Sequence, residues 1–97
     1  MHKNFYIFIF FAVLSINISA QNIRELADSL YNAENYFDAI TEYKRLLFFE
    51  NNEQNNYYAN YLIGDCYKQG GYYDKAIEYF SKSLYAAKTD DEIFNSK

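Results

Sequence analysis

The sequence NYLIGDCYKQGGYYDKAIEYFSKSL, from Asn60 to Leu84, decides the fold of this chain. Two apolar stripes at helical spacing flank the pair Gly70-Gly71: Leu62, Ile63, Cys66 and Tyr67 before it, and Tyr73, Ala76, Ile77, Phe80 and Leu84 after it. Residues three and four apart share one face of an α-helix, and paired glycines supply a turn. The expectation is an αα-hairpin with both stripes turned inward. Gly64 has no Cβ and Ala76 is small, so the two helices can cross closely there, with Tyr67 and Phe80 filling the space beside the contact. Ala86 falls off the main stripe.

Working outward, the same spacing recurs upstream. Ile23, Leu26, Ala27 and Leu30 form one stripe, Asn32 to Asn35 interrupt it, and Tyr36, Ala39, Ile40, Tyr43, Leu46 and Leu47 form a second. Ala39 and Ala76 stand 37 residues apart, and Ile23, Leu26-Ala27, Leu30, Ala39 and Tyr43 repeat the internal spacings of Asn60, Ile63-Gly64, Tyr67, Ala76 and Phe80. Between the copies lies the polar run from Asn51 to Asn56, which has no apolar face to bury. Asparagines favour turns over helix interiors, so residues 51–56 read as a surface loop. Downstream, the last helix is expected to run to about Lys88 and to stop there, because Thr89 and Glu92 have the spacing of a capping box that opens a new helix over 90–97.

These positions resemble the tetratricopeptide repeat. Its pattern W-x-x-L-G-x-x-Y, then A-x-x-x-F, is met at Ile63-Gly64, Tyr67, Ala76 and Phe80. Asn60 stands where the pattern prefers Trp, Ser83 where the family usually has Ala, and the chain has no Pro. The period of the family is roughly 34 residues, and the surplus falls in the loop. The resemblance implies an all-α fold of helical hairpins stacked as a short solenoid, with repeat one over 22–50, repeat two over 57–88 and the start of a third at 90–97, where Phe94 is in register. Repeats of this kind bury their apolar faces only against neighbours. Two hairpins and a stub leave the last hairpin short of cover, so the expectation is either a reading frame that continues past Lys97 or self-association through the C-terminal face.

In the family, the first helix of each hairpin lines a groove that receives an extended peptide or a partner helix. Carried over, the groove face presents Arg24, Asp28, Tyr31 and Asn32 from the first copy, and Tyr61, Asp65, Lys68 and Gln69 from the second. An ordinary solvated helix face is the alternative for any one of them. Asp28 and Asp65 occupy places where a carboxylate clamp would need Asn, so capture of a peptide C-terminus is not implied.

Composition narrows the function further. The 97 residues include 12 Tyr and 9 Phe, no Trp, and a formal charge of −4 that becomes −5 without the first 20 residues, since Lys3 leaves and no acid does. Nucleic acid is not expected as a partner, and an acidic surface favours encounter with a basic or neutral peptide. The one His is His2 and the one Cys is Cys66, so no Cys-His pair and no metal site can be assembled, and no cofactor is expected. Acid pairs such as Asp90-Asp91 read as helix capping rather than acid-base machinery. Cys66 reads as a small buried side chain, with an intermolecular disulfide as the alternative. The chain is therefore expected to be no enzyme but an interaction scaffold. The alternatives are the N-terminal piece of a longer exported sensor or assembly protein, and a small self-associating helical protein.

The front of the chain sets the compartment. His2 and Lys3 precede an apolar run from Phe5 to Ile18, followed by Ser19-Ala20, and residues 1–20 are similar to a secretory signal peptide, itself helical. The run is shorter than the roughly 20 residues that a membrane helix needs, and Ser15 and Asn17 interrupt its end. An uncleaved anchor formed by residues 5–18 is the alternative, and the only membrane association expected. No Cys follows the run to accept a lipid, and the sequon Asn17-Ile18-Ser19 lies within the segment to be removed. Export to the periplasm or medium with cleavage between Ala20 and Gln21 is the expected outcome, and mass spectrometry of the mature N-terminus checks it. Recovery of an intact Met1 in the membrane fraction refutes it.

Overall fold

The computed structural model describes residues 19–95, with side chains as far as Lys88. The expected signal-peptide helix falls outside the described residues, as do the side chains of Thr89, Glu92 and Phe94. Four α-helices follow one another: α1 (Ala20–Asn32), α2 (Tyr36–Phe49), α3 (Glu53–Gln69) and α4 (Tyr73–Asn95). Each packs on the next, α1 on α2, α2 on α3 and α3 on α4. The described residues are all-α, as the periodicity predicts, and contain no strand.

The turns closing the two hairpins are built alike. In the first, the Ala33, Glu34 and Asn35 amides donate to the carbonyls of Ser29, Tyr31 and Leu30; in the second, Gly70, Gly71 and Tyr72 donate to Cys66, Lys68 and Tyr67. Every donor and acceptor in one turn lies 37 residues from its counterpart in the other. Both turns need a left-handed residue at the same place, and these are Glu34 (φ 64°) and Gly71 (φ 83°). Glycine adopts that conformation freely, whereas a residue with a Cβ is strained there.

One buried cluster joins three helices: Ile23 and Ala27 of α1; Ala39, Ile40, Tyr43 and Leu46 of α2; and Ala59, Ile63 and Cys66 of α3. Cys66 is a free thiol with no exposed surface, in agreement with its reading as a small core residue. α4 adds Ala76, Ser83 and Ala86. The Ser83 hydroxyl donates to the Tyr57 carbonyl at 2.8 Å, which gives the serine a partner at a buried position where the family has Ala.

Four expectations need correction. First, the α4 stripe does not turn inward as a whole, since Tyr73 and Ile77 are each 64% exposed and Leu84 is 70% exposed. The inward face is instead the row of small residues Ala76, Ser83 and Ala86, with Tyr79 and Phe80 half-buried. Beside this row the missing side chain of Gly64 makes room for the Phe80 ring, which would lie 2.7 Å from a Cβ there. Second, Ala86 belongs to this packed row rather than lying off it.

Third, the asparagine run is mostly helix. Asn52 caps α3 by accepting from the Asn55 amide at 2.8 Å, and the buried Asn55 side chain donates to the Glu50 carbonyl at 3.0 Å. Asparagine is poor in a helix interior but strong at its start, so the surplus residues lengthen α3 instead of the loop. Fourth, α4 continues through Thr89 without a break. At the other end, Ser19 caps α1 by accepting from the Asn22 amide at 3.3 Å, which places the Ala20-Gln21 bond in the first turn of α1.

The matched turns generate a reciprocal test. Glu34→Gly relieves backbone strain and is expected to stabilise the chain by roughly 0.5–1 kcal/mol, while Gly71→Glu destabilises it by about 1–2 kcal/mol. Nothing lies within 4 Å of a Cβ built on Gly71, so the second change isolates backbone strain from packing. Denaturant unfolding reads both, and shifts of the same sign refute the shared geometry.

Candidate functional site

The groove face is organised by carboxylates on the first helix of each hairpin. Asp28 sits in the middle of α1, and its Oδ1 accepts from the Tyr43 hydroxyl of α2 at 2.5 Å and from the Tyr58 hydroxyl of α3 at 2.6 Å. The two rings meet edge to face with centroids 6.1 Å apart, and the Arg24 guanidinium lies 3.8 Å over the Tyr58 ring. One turn along, the Tyr31 hydroxyl donates to Asp65 Oδ2 at 2.5 Å, a second direct link between α1 and α3. Tyr31 also meets Tyr36 edge to face.

These environments move the tyrosine protons. The Tyr31 phenol is pushed well above its ordinary range, chiefly by its bond to the Asp65 carboxylate and then by burial. Burial is the larger cause for Tyr43, with the Asp28 bond second. Tyr58 rises for the same two reasons, against the lowering influence of Arg24. Burial pushes the Cys66 thiol up to about 12, with the Asp65 charge adding to it, so it carries no thiolate at neutral pH.

Between α1 and α3 lies a concavity of about 350 Å³ lined by Asp28, Tyr31, Asn32, Tyr43, Tyr57, Tyr58, Tyr61 and Leu62. Four of the eight residues expected on the groove face therefore line it together: Asp28, Tyr31, Asn32 and Tyr61. Arg24 stands beside it on Tyr58, and Asp65 is behind Tyr31 as its acceptor. Lys68 and Gln69 are exposed at the end of α3 and do not line it. Sequence reading placed Tyr57 and Tyr58 at the start of the second repeat but not on the groove face, because the groove positions it carried over begin at Tyr61. Their signal was there, since Tyr57 and Tyr58 precede Tyr61 at helical spacing. Tyr43 was assigned to the core, and it is that as well, with its hydroxyl reaching the groove.

A larger cleft of about 640 Å³ runs beside the second half of α4, lined by Asn51, Glu53, Asn56, Asn60, Ser81, Lys82, Tyr85 and Ala86. It holds none of the eight residues expected on the groove face. Among the described residues no three His, Cys, Asp or Glu side chains gather as a metal site, and no helix is long and apolar enough to cross a membrane. No known protein family, characterised protein or solved structure matches the chain.

The phenols give a pH dependence with a definite sign. Tyr31, Tyr43 and Tyr58 hold protons in the folded state that the unfolded chain releases at about pH 10, so the stability they add is complete below that pH and is lost as pH rises above it. Thermal unfolding followed by circular dichroism should be flat from neutrality to about pH 10 and fall beyond it. Tyr43→Phe should cost about 1.5–3 kcal/mol at neutral pH, since it removes a hydrogen bond to a charged acceptor, and should make the alkaline fall shallower. An unchanged alkaline slope in that variant refutes the assignment.

Proposed function

We propose that this chain is an exported protein-binding module of stacked helical hairpins, resembling tetratricopeptide repeats, that takes an extended peptide or a partner helix in the groove between α1 and α3. The carrying observation is the tyrosine-lined concavity, in which Asp28, Tyr31, Asn32 and Tyr61 from the two copies meet. Further support comes from the chemistry of its walls. Tyrosine offers large contact area with few rotatable bonds, and the hydrogen bonds at Tyr31, Tyr43 and Tyr58 fix three of those rings before any ligand arrives.

The carboxylates of Asp28 and Asp65 already accept phenolic hydrogen bonds, so they position the rings and leave net negative charge beneath them. A neutral or basic segment fits such a face, in keeping with the formal charge of −4. Asn32, exposed at the groove mouth, has both a donor and an acceptor to offer a peptide backbone.

Selection of random peptides on the full chain tests the proposal. Selected peptides are expected to be rich in basic and apolar residues. Asn32→Trp, which fills the mouth, should weaken them at least about tenfold, as loss of a central contact does. Ile77→Asp, away from the groove, should leave them unaffected. Peptides that bind Asn32→Trp as well as the parent chain would show that the groove is not the site.

A further inference from the structure

The repeat offset allows each surface of the second hairpin to be compared with its counterpart in the first. In the first hairpin, Ile40 is 5% exposed and Tyr43 fully buried, because α3 lies over them. Their counterparts on α4, 37 residues on, are Ile77 at 64% and the half-buried Phe80, and Leu84 answers to the half-buried Leu47. With Tyr73 these residues make a single stripe at spacings of four, three and four, which Tyr57 and Tyr61 of α3 extend sideways. The stripe therefore has the composition of an internal helix interface. Its exposed members offer roughly 100 Å² each and the half-buried Phe80 less, which is below the roughly 800 Å² per partner of a standard interface and in the range of a weak, reversible one.

We infer that this stripe is the contact between two copies of the chain, related by a two-fold axis beside Ser81. Head-to-tail stacking is disfavoured by the other end of the molecule. The residues of α1 that correspond to the packing face of α3 (Ala59, Leu62, Ile63 and Cys66) are Asn22, Glu25, Leu26 and Ser29, a largely polar and exposed set. A polar end does not cover an apolar one, so the open face meets its own kind, and a two-fold contact closes without propagating. Antiparallel pairing of two α4 stripes supplies the complementarity. With the axis between Phe80 and Ser81, Ile77 faces Leu84 of the second copy and Phe80 lies near the axis. Ile77, Phe80 and Leu84 lie outside the groove between α1 and α3, whereas Tyr57 and Tyr61 border both surfaces, so the contact is tested at Ile77 and Ser81 and not at the shared tyrosines.

Disulfide trapping in the full chain tests the geometry. Ser81 is exposed, and the native thiol of Cys66 is buried and does not compete. Under air with copper-phenanthroline, Ser81→Cys is expected to form a covalent dimer. Adding Ile77→Asp at an exposed position should reduce its yield at least about tenfold, the size of effect expected of a central interface residue. Retention of helical circular dichroism in the double variant separates lost association from lost folding. Ser29→Cys, on the polar face of α1, should give no dimer under the same conditions. Trapping geometry is read at residue 81 whatever association the first 20 residues cause. A Ser81→Cys chain that stays monomeric overturns the inference and leaves the stripe to a different protein or a further hairpin. Cross-linking that is indifferent to Ile77→Asp, or that joins Ser29→Cys chains to Ser81→Cys chains, also overturns it.

Discussion

A single oxygen, Oδ1 of Asp28, holds three helices at one point by accepting phenolic protons from α2 and α3. A half-buried carboxylate is costly without partners, and the rest of the packing accommodates that demand. Tyr43 must cross the core to reach it, which explains why a fully buried residue carries a hydroxyl where Phe80 stands in the second copy. Tyr58 must start its helix early enough to arrive from the other side, which the Asn52 cap and the Asn55 bond to Glu50 make possible. Position 65 repeats the arrangement with one phenol, from Tyr31.

The two copies differ mainly in what lies beside them. Ala27 and Gly64 occupy equivalent places, but at the glycine the Phe80 ring lies where a Cβ would be, and Ala76, Ser83 and Ala86 of α4 are the residues buried. The large residues of α4 are then left on the outer side. The last helix thus covers its small residues and the Phe80 ring seated at Gly64. It also leaves an apolar stripe at one end of the molecule and a mostly polar face at the other.

The concavity between α1 and α3 and the stripe on α4 meet at Tyr57 and Tyr61 and otherwise draw on different residues. Tyr31, Tyr43 and Tyr58 are pinned by carboxylates, so these three rings of the concavity have fixed positions. The stripe on α4 is fixed by its own helix and by Ala76 and Ser83 beneath it. Cys66, sealed in the core with its thiol pushed up to about 12, leaves the surface free of reactive sulfur, which suits a chain read as exported.

Much was legible in the residues themselves. Helical periodicity and the 37-residue offset determined four helices in two hairpins, because local spacing alone sets which side chains share a face. Gly71 marked its turn by chemistry, whereas its counterpart Glu34 was not singled out, since nothing about glutamate advertises a left-handed backbone. Half of the expected groove residues meet in one concavity. Tertiary structure decided the rest. Periodicity locates an apolar stripe but not its neighbour, so it could not tell that Ala76, Ser83 and Ala86 pack inward while Ile77 and Leu84 stay exposed. Nor could it pair Asp28 with Tyr43 and Tyr58, 15 and 30 residues away, because those bonds exist only once three helices have been brought to one point.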